Sequence, residues 1–281
     1  IILLIVVIAY PVGRTIMMSF QFNRLNQPWR GTPFIGLTNY RNLLQDARFH
    51  NAVLVTISFV IFSTLGKMLL GLAMALLMNI ENPVKGIIRS AILIPWAMPP
   101  IIVGRMWAWI FNGLYGIANY VLTSLGNISS NVSWLNEIPH AMIAVQAATI
   151  WRGTPFVALI LLAGLQSISS EYYDAARVDG ANIWHRFIHI TLPLLKPTLT
   201  IALLFTTLAS FKSFDIIHSM TRGGPLESTE TLMVYAYMNI FTFLNFGYGS
   251  AVVVTIVLLS LILAIVYIRA MNLDLGGGAR W

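Results

Sequence analysis

Six ionisable side chains fall inside or at the ends of long apolar stretches: Arg14, Lys67, Arg105, Arg152, Lys212 and Asp215. A charge at membrane depth is costly unless it faces protein or water, so each marks a candidate functional position. Lys212 and Asp215 stand three apart, on one face of a helix, where they can pair structurally. The same two residues would serve a proton or ion relay in an ion-coupled secondary transporter. Arg14 and Arg105 read more simply as end anchors that extend their charge toward the interface. Trp151-Arg152-Gly153-Thr154-Pro155 places a glycine and a helix-breaking proline within an apolar run. Backbone groups freed at such depth are tolerated where they are buried or line a cavity, so this segment is either a packing kink or part of a solute path.

Other chemistries find no residues here. The chain has no cysteine, which removes disulfides, thiolate metal sites and cysteine nucleophiles. No Gly-x-x-x-x-Gly-Lys-[Ser/Thr] loop is present to cradle a nucleotide, and no nucleophile, base and acid fall into a catalytic pattern. His185 and His189 are four apart but lack the His-Glu-x-x-His frame, and read as a solvated face rather than a metal site.

These residues must be positioned by membrane helices. Of 281 residues, 57% are hydrophobic and 10% charged, against about 25% charged in a soluble domain. Mean hydropathy is +0.76. The reading is an all-α integral membrane protein. The net charge of +7 comes from basic residues scattered singly, which suits loops facing anionic lipid better than a nucleic-acid surface. A span needs about 20 apolar residues, and six stretches qualify: 1–21, 52–79, 87–111, 140–166, 198–220 and 249–271. The run from Leu232 to Phe246 is shorter and aromatic, as expected of an interfacial or partly inserted helix rather than a full span. Lys85, Arg89, Arg177, Arg186, Lys196, Arg269 and Arg280 fall on one face, against Arg24, Arg30, Arg41, Arg48 and Arg222 on the other. The first face is therefore assigned to the cytoplasm. The chain starts at Ile1 inside an apolar run, so the native amino terminus is expected upstream, without a cleaved signal peptide. Residues 276–281 read as a flexible tail, which leaves one membrane unit over 1–275.

The inner loop 167–197 is built unlike a connector. Ser170 is expected to cap a helix whose first turn carries Glu171 and Asp174, favourable at the positive end of the dipole. Gly180 ends that helix, and Asp179 is expected to help cap a second one, whose Ile183, Trp184, Phe187, Ile188 and Ile190 recur at helical spacing. Pro193 and Pro197 then punctuate the return to the membrane. Two short helices around a glycine bend, with small Ala175 and Ala176, make either a knob for another protein's groove or an interfacial pair lying on headgroups.

The pattern Asp174-Ala175-Ala176, three residues, Gly180, nine residues, Ile190, one residue, Leu192-Pro193 resembles the cytoplasmic motif of ATP-binding-cassette importer permeases. Asp174 stands where that motif has glutamate. Ala9-Tyr10-Pro11, Phe34-Ile35-Gly36-Leu37-Thr38-Asn39-Tyr40, Ile94-Pro95-Trp96, Trp151 to Phe156, Ala163-Gly164-Leu165-Gln166 and Gly223-Gly224-Pro225 are similar to the sugar-importer branch, in particular the larger membrane subunit of maltose-type systems. The resemblance implies a six-helix type I importer permease core with a cytoplasmic coupling helix, in a prokaryotic inner membrane. It implies a second homologous permease, two copies of a cytoplasmic ATPase that hold ATP and magnesium, and an external sugar-binding protein; no cofactor is expected on this chain. It assigns Asp174, Ala175, Ala176, Asp179, Gly180, Ile190 and Pro193 to ATPase coupling. It places Thr149, Gly153, Phe156, Ala209 and Phe214 where sugar is contacted, with Ser210 and Ser213 as nearby hydroxyls. Trp107, Trp109, Asn112 and Gln146 supply further aromatic and amide groups of the kind a sugar needs.

Overall fold

A computed structural model describes residues 5–270 apart from 81, 82, 84 and 129; the tail assigned to 276–281 lies outside the described residues. Among those described the chain is helical throughout. The elements are α1 (Tyr10–Ser19), α2 (Thr38–Gln45), α3 (Ala47–Asn79), α4 (Lys85–Ala97), α5 (Pro100–Ile110), α6 (Ile117–Ser124), α7 (His140–Gln166), α8 (Ser170–Val178), α9 (Ile183–Arg186), α10 (Leu192–Phe211), α11 (Asp215–Met220), α12 (Leu232–Tyr237) and α13 (Phe246–Ala270).

Two helices form the centre. α3 and α7 run in the same direction, with the Phe59 carbonyl beside Gln146, Gly66 against Ile150 and Gly71 against Val157. A Cβ on Gly71 would come within 2.6 Å of the Val157 side chain. Small residues are what allow helices to approach this closely where no water-driven hydrophobic force acts between them. The buried apolar side chains fall into three patches along these helices. An outer patch holds Leu43, Phe49 and Tyr248, a middle one Phe59, Val145 and Ile217, and an inner one Met78, Leu161 and Leu195. Leu54, Phe62 and Leu69 of α3 and Leu258, Leu261 and Ile265 of α13 point outward, as expected of surface solvated by lipid.

Helix bounds differ from the sequence expectation in four places. The stretch 87–111 is not one straight helix: α4 and α5 are bent by 93°. Neither Pro99 nor Pro100 can donate to the preceding turn, so the helix cannot pass through them. The stretch 198–220 is displaced. Its helix begins earlier, because α9 and α10 are joined through a π-turn at Phe187–Thr191 into one 29-residue helix, Ile183–Phe211. The Leu192 N–H reaches back to the Phe187 carbonyl, and this wider bonding accommodates Pro193 at the start of α10. At its other end the helix breaks over Lys212–Phe214 before α11. No proline or glycine marks that break; Ile216 and Ile217 bury in the middle patch, and Ser219 packs on Gly104 of α5. The first and fourth long helices, α3 and α13, also start earlier than expected, at Ala47 with Asp46 as N-cap and at Phe246.

Candidate translocation cavity and cytoplasmic knob

The breaks at Met98–Pro99 and at Lys212–Phe214 face each other across α7, and between them lies a cavity of ≈240 Å³. Thr149, Gly153 and Phe156 line it from α7, Ala209 from α10, and Ser213 and Phe214 from the break that follows. Ser210 is buried beside it and accepts a hydrogen bond from the Lys67 ammonium at 2.9 Å. The segments 149–156 and 209–214 thus meet at one place.

Five further groups define the cavity's chemistry. Lys67, only 6% exposed, reaches in from α3. Its side chain crosses Gly153, where a Cβ would lie 2.7 Å from Lys67 Cε; the glycine makes room for the lysine. Arg152 also lines the cavity, and its Nε–H donates to the Met98 carbonyl at 3.1 Å, satisfying an oxygen beside the proline break. Lys212 and Asp215 are both exposed to the cavity. They lie on opposite sides of a helix break, and no ion pair joins them among the described residues, so the expected helical pair is not formed. Trp96, at the end of α4, stacks on Phe156 with ring centroids 5.8 Å apart and 21° between planes. That pair gives the cavity an aromatic wall beside its hydroxyl and cationic groups.

Pro100, Thr206 and Ile216 complete a lining that was not among the sequence candidates, and Trp96 stood there only as part of the Ile94-Pro95-Trp96 run. The other aromatic and amide candidates sit elsewhere. Trp107 packs against Phe111 and Trp151, the Gln146 amide donates to the Phe59 carbonyl, and Trp109 and Asn112 lie on a separate surface near Arg105.

At the face assigned to the cytoplasm, α8 and α9 project as a knob. The Ser169 hydroxyl, not Ser170, accepts the Glu171 N–H, and Asn182, not Asp179, caps α9 by accepting from the His185 N–H at 2.8 Å. Asp179 is the last residue of α8's turn. Beyond it Gly180 takes φ +77°, the left-handed region that only glycine enters without strain. The Gly180 N–H bonds the Arg177 carbonyl and the Ala181 N–H bonds the Ala176 carbonyl, the Schellman closure of a helix. Asp174 pairs with Arg177 at 2.8 Å. Ala175 and Ala176 sit on the same helix, Ile190 lies in the π-turn and Pro193 opens α10. The Tyr173 and Thr191 hydroxyls, 3.1 Å apart, tie the knob to that turn. Its apolar side chains are uncovered: Val178 is 89% exposed, Ile183 76% and Trp184 73%.

A bundle of broken and continuous apolar helices around a cavity lined by charged, hydroxyl and aromatic groups, with an exposed knob at one end, is the architecture of a multi-pass membrane permease. The chain belongs to the family described as binding-protein-dependent transport system inner membrane component, matched over residues 67–272. It is 40% identical over 270 residues to the sulfoquinovosyl glycerol transport system permease protein SmoG of Agrobacterium fabrum, covering 95% of this chain and 86% of that one. It is 41% identical over 237 residues to the trehalose/maltose transport system permease protein MalF of Thermococcus litoralis, covering 84% and 79%. In fold it is similar to a chain in the crystal structure of a bacterial ABC transporter involved in the import of the acidic polysaccharide alginate. That match has a TM-score of 0.83 at 20% identity and covers 96% of this chain and 91% of that one. The protein is therefore an inner-membrane ABC importer permease, not an ion-coupled carrier.

Proposed function

We propose that this permease imports a sugar or oligosaccharide, forming half of the translocation pathway, with its substrate passing through the cavity between α3, α7 and α10. One observation carries the reading: Thr149, Gly153, Phe156, Ala209, Ser213 and Phe214, from two separate segments, share one cavity. The stacked Trp96 and Phe156 rings suit the C–H face of a pyranose, and the Thr149 and Ser213 hydroxyls suit its hydroxyl groups. Relatives named for sulfoquinovosyl glycerol and for trehalose/maltose transport support the sugar class.

The second half of the path comes from a homologous permease, and an external binding protein delivers the sugar. Two cytoplasmic ATPases hold ATP and magnesium and supply the energy; this chain binds neither. The knob seats in one ATPase through Ala175, Ala176 and the exposed Val178, Ile183 and Trp184. A ligand shifts a conformational equilibrium only by its differential affinity for the two states. ATPase closure therefore drives alternating access only if the knob's seat differs between inward- and outward-facing states. Purification of the tagged chain in mild detergent tests the assembly: two ATPases and one second permease should co-elute. Proteoliposomes of that complex should take up sugar only with ATP and binding protein. Recovery of the chain alone, active under an ion gradient, would refute the reading.

A further inference from the structure

The charge of the cavity is unbalanced. Lys67, Arg152 and Lys212 line it against one carboxylate, Asp215. Lys67 is the decisive member, because its ammonium is buried at membrane depth and its hydrogen-bond partner is the neutral Ser210 hydroxyl at 2.9 Å. A buried cation without a counter-ion is costly, and small-residue packing could have closed this space: Gly153 keeps it open for the lysine stem. A sugar with only hydroxyl groups would leave that charge uncompensated.

We propose that the transported solute carries an anionic group, a carboxylate or a sulfonate on the sugar, which the Lys67 ammonium, together with Arg152 and Lys212, neutralises in the cavity. The inference rests on the cavity being the sugar path. The sugar ring lies toward the Trp96–Phe156 wall and the anion toward Lys67. The same cations stabilise the anion while it is shielded from water, where an unpaired anion is as costly as an unpaired lysine.

The test uses the complete transporter, both permeases and ATPases, in lipid nanodiscs. Three matched probes differ only at the sixth carbon: the methyl glycosides of glucose, of glucuronic acid and of 6-deoxy-6-sulfoglucose. Titration calorimetry should show both anions binding about tenfold more tightly than the neutral glycoside, the worth of one charge-assisted hydrogen bond. That advantage should shrink with added salt and be largely lost in Lys67→Met. Lys212→Gln, on the exposed rim where folding is not at stake, should weaken it independently. Neutral glycoside binding as tightly as the anions, yet lost in Phe156→Ala, would overturn the charge inference and leave the sugar path standing. No binding of any probe, with uptake indifferent to Phe156→Ala, would overturn both.

Discussion

The Lys67 ammonium donates to the Ser210 hydroxyl across the seam between α3 and α10, at 2.9 Å and with both residues buried. This bond fixes where a membrane-embedded charge points, and the Thr64 hydroxyl lies 3.5 Å from the same serine. Ser210→Ala would strip the ammonium of its named partner. Leaving a buried charged donor unsatisfied costs ~1–3 kcal/mol, so the purified complex should unfold at a lower temperature, with sugar uptake reduced. Ser210→Thr keeps the hydroxyl and should recover most of both.

Gly153→Ala tests the same lysine from the other side. The added methyl would meet Lys67 Cε and Cδ at 2.7 and 2.9 Å, so the lysine must leave its place. Since a flexible side chain can shift more readily than a helix, assembly should survive at a cost of ~1–2 kcal/mol. Uptake should fall about tenfold or more if substrate alignment depends on the ammonium. Measuring uptake and ATP hydrolysis on one preparation separates this from misfolding.

At the outer end, Asp46 caps α3 and accepts hydrogen bonds from the Tyr235 and Tyr248 hydroxyls at 2.6 and 2.8 Å. Burial alone would raise its carboxyl pKa, but those hydroxyls and the Arg48 and Phe49 N–H groups outweigh burial and hold it below 3.8. A carboxyl whose folded pKa is depressed stabilises the fold above its unfolded value and loses that contribution as pH falls through the folded one. Wild-type protein should therefore lose stability below about pH 4. Asp46→Asn should be less stable at pH 7, and the gap should close as the wild-type carboxyl protonates.

Arg48 grips Glu230 through two bonds of 2.7 and 2.9 Å and lies 3.1 Å from Glu227. Glu230 is buried, and it anchors an outer loop in which Arg222, Leu226 and Glu227 all have positive φ. Strained backbone persists only where its surroundings enforce it. Glu230→Gln should cost ~2 kcal/mol, less than a fully buried pair because Arg48 is partly exposed. Protease added to the outer face should then cut near the exposed Leu226, while wild type resists.

Much of this was legible because its causes are local. The knob follows from Gly180 and its flanking caps, with the capping duty moved by one residue to Ser169 and by three to Asn182. The helices follow from apolar runs long enough to span. What stayed hidden was where helices break without a local reason. Pro99-Pro100 announces the 93° bend, but nothing in Lys212-Ser213-Phe214 announces the second break, which is imposed by the packing of α11 on α5. Without that break Lys212 and Asp215 read as neighbours on one helix, and Lys67, 85 residues from Arg152 in sequence, gives no sign that it shares their cavity.

Gly180→Val addresses the knob. At φ +77° a β-branched side chain is strained, at about 1–2 kcal/mol for the left-handed region, and both closing bonds, to the Arg177 and Ala176 carbonyls, depend on that turn. Because α8 has no buried residue, the rest of the fold does not rely on it, and the chain should insert and pair with its partner permease as before. What should fail is the rigid presentation of Val178, Ile183 and Trp184 to the ATPase. In proteoliposomes, ATP hydrolysis should lose its stimulation by binding protein and sugar, and uptake should fall in proportion, while sugar binding to the cavity persists. Ala176→Trp should give the same uncoupling by bulk, leaving the turn intact. Normal coupling in both variants would sink the docking assignment, whereas loss in Gly180→Val alone would show that α8's orientation, not its small-residue surface, transmits the stroke.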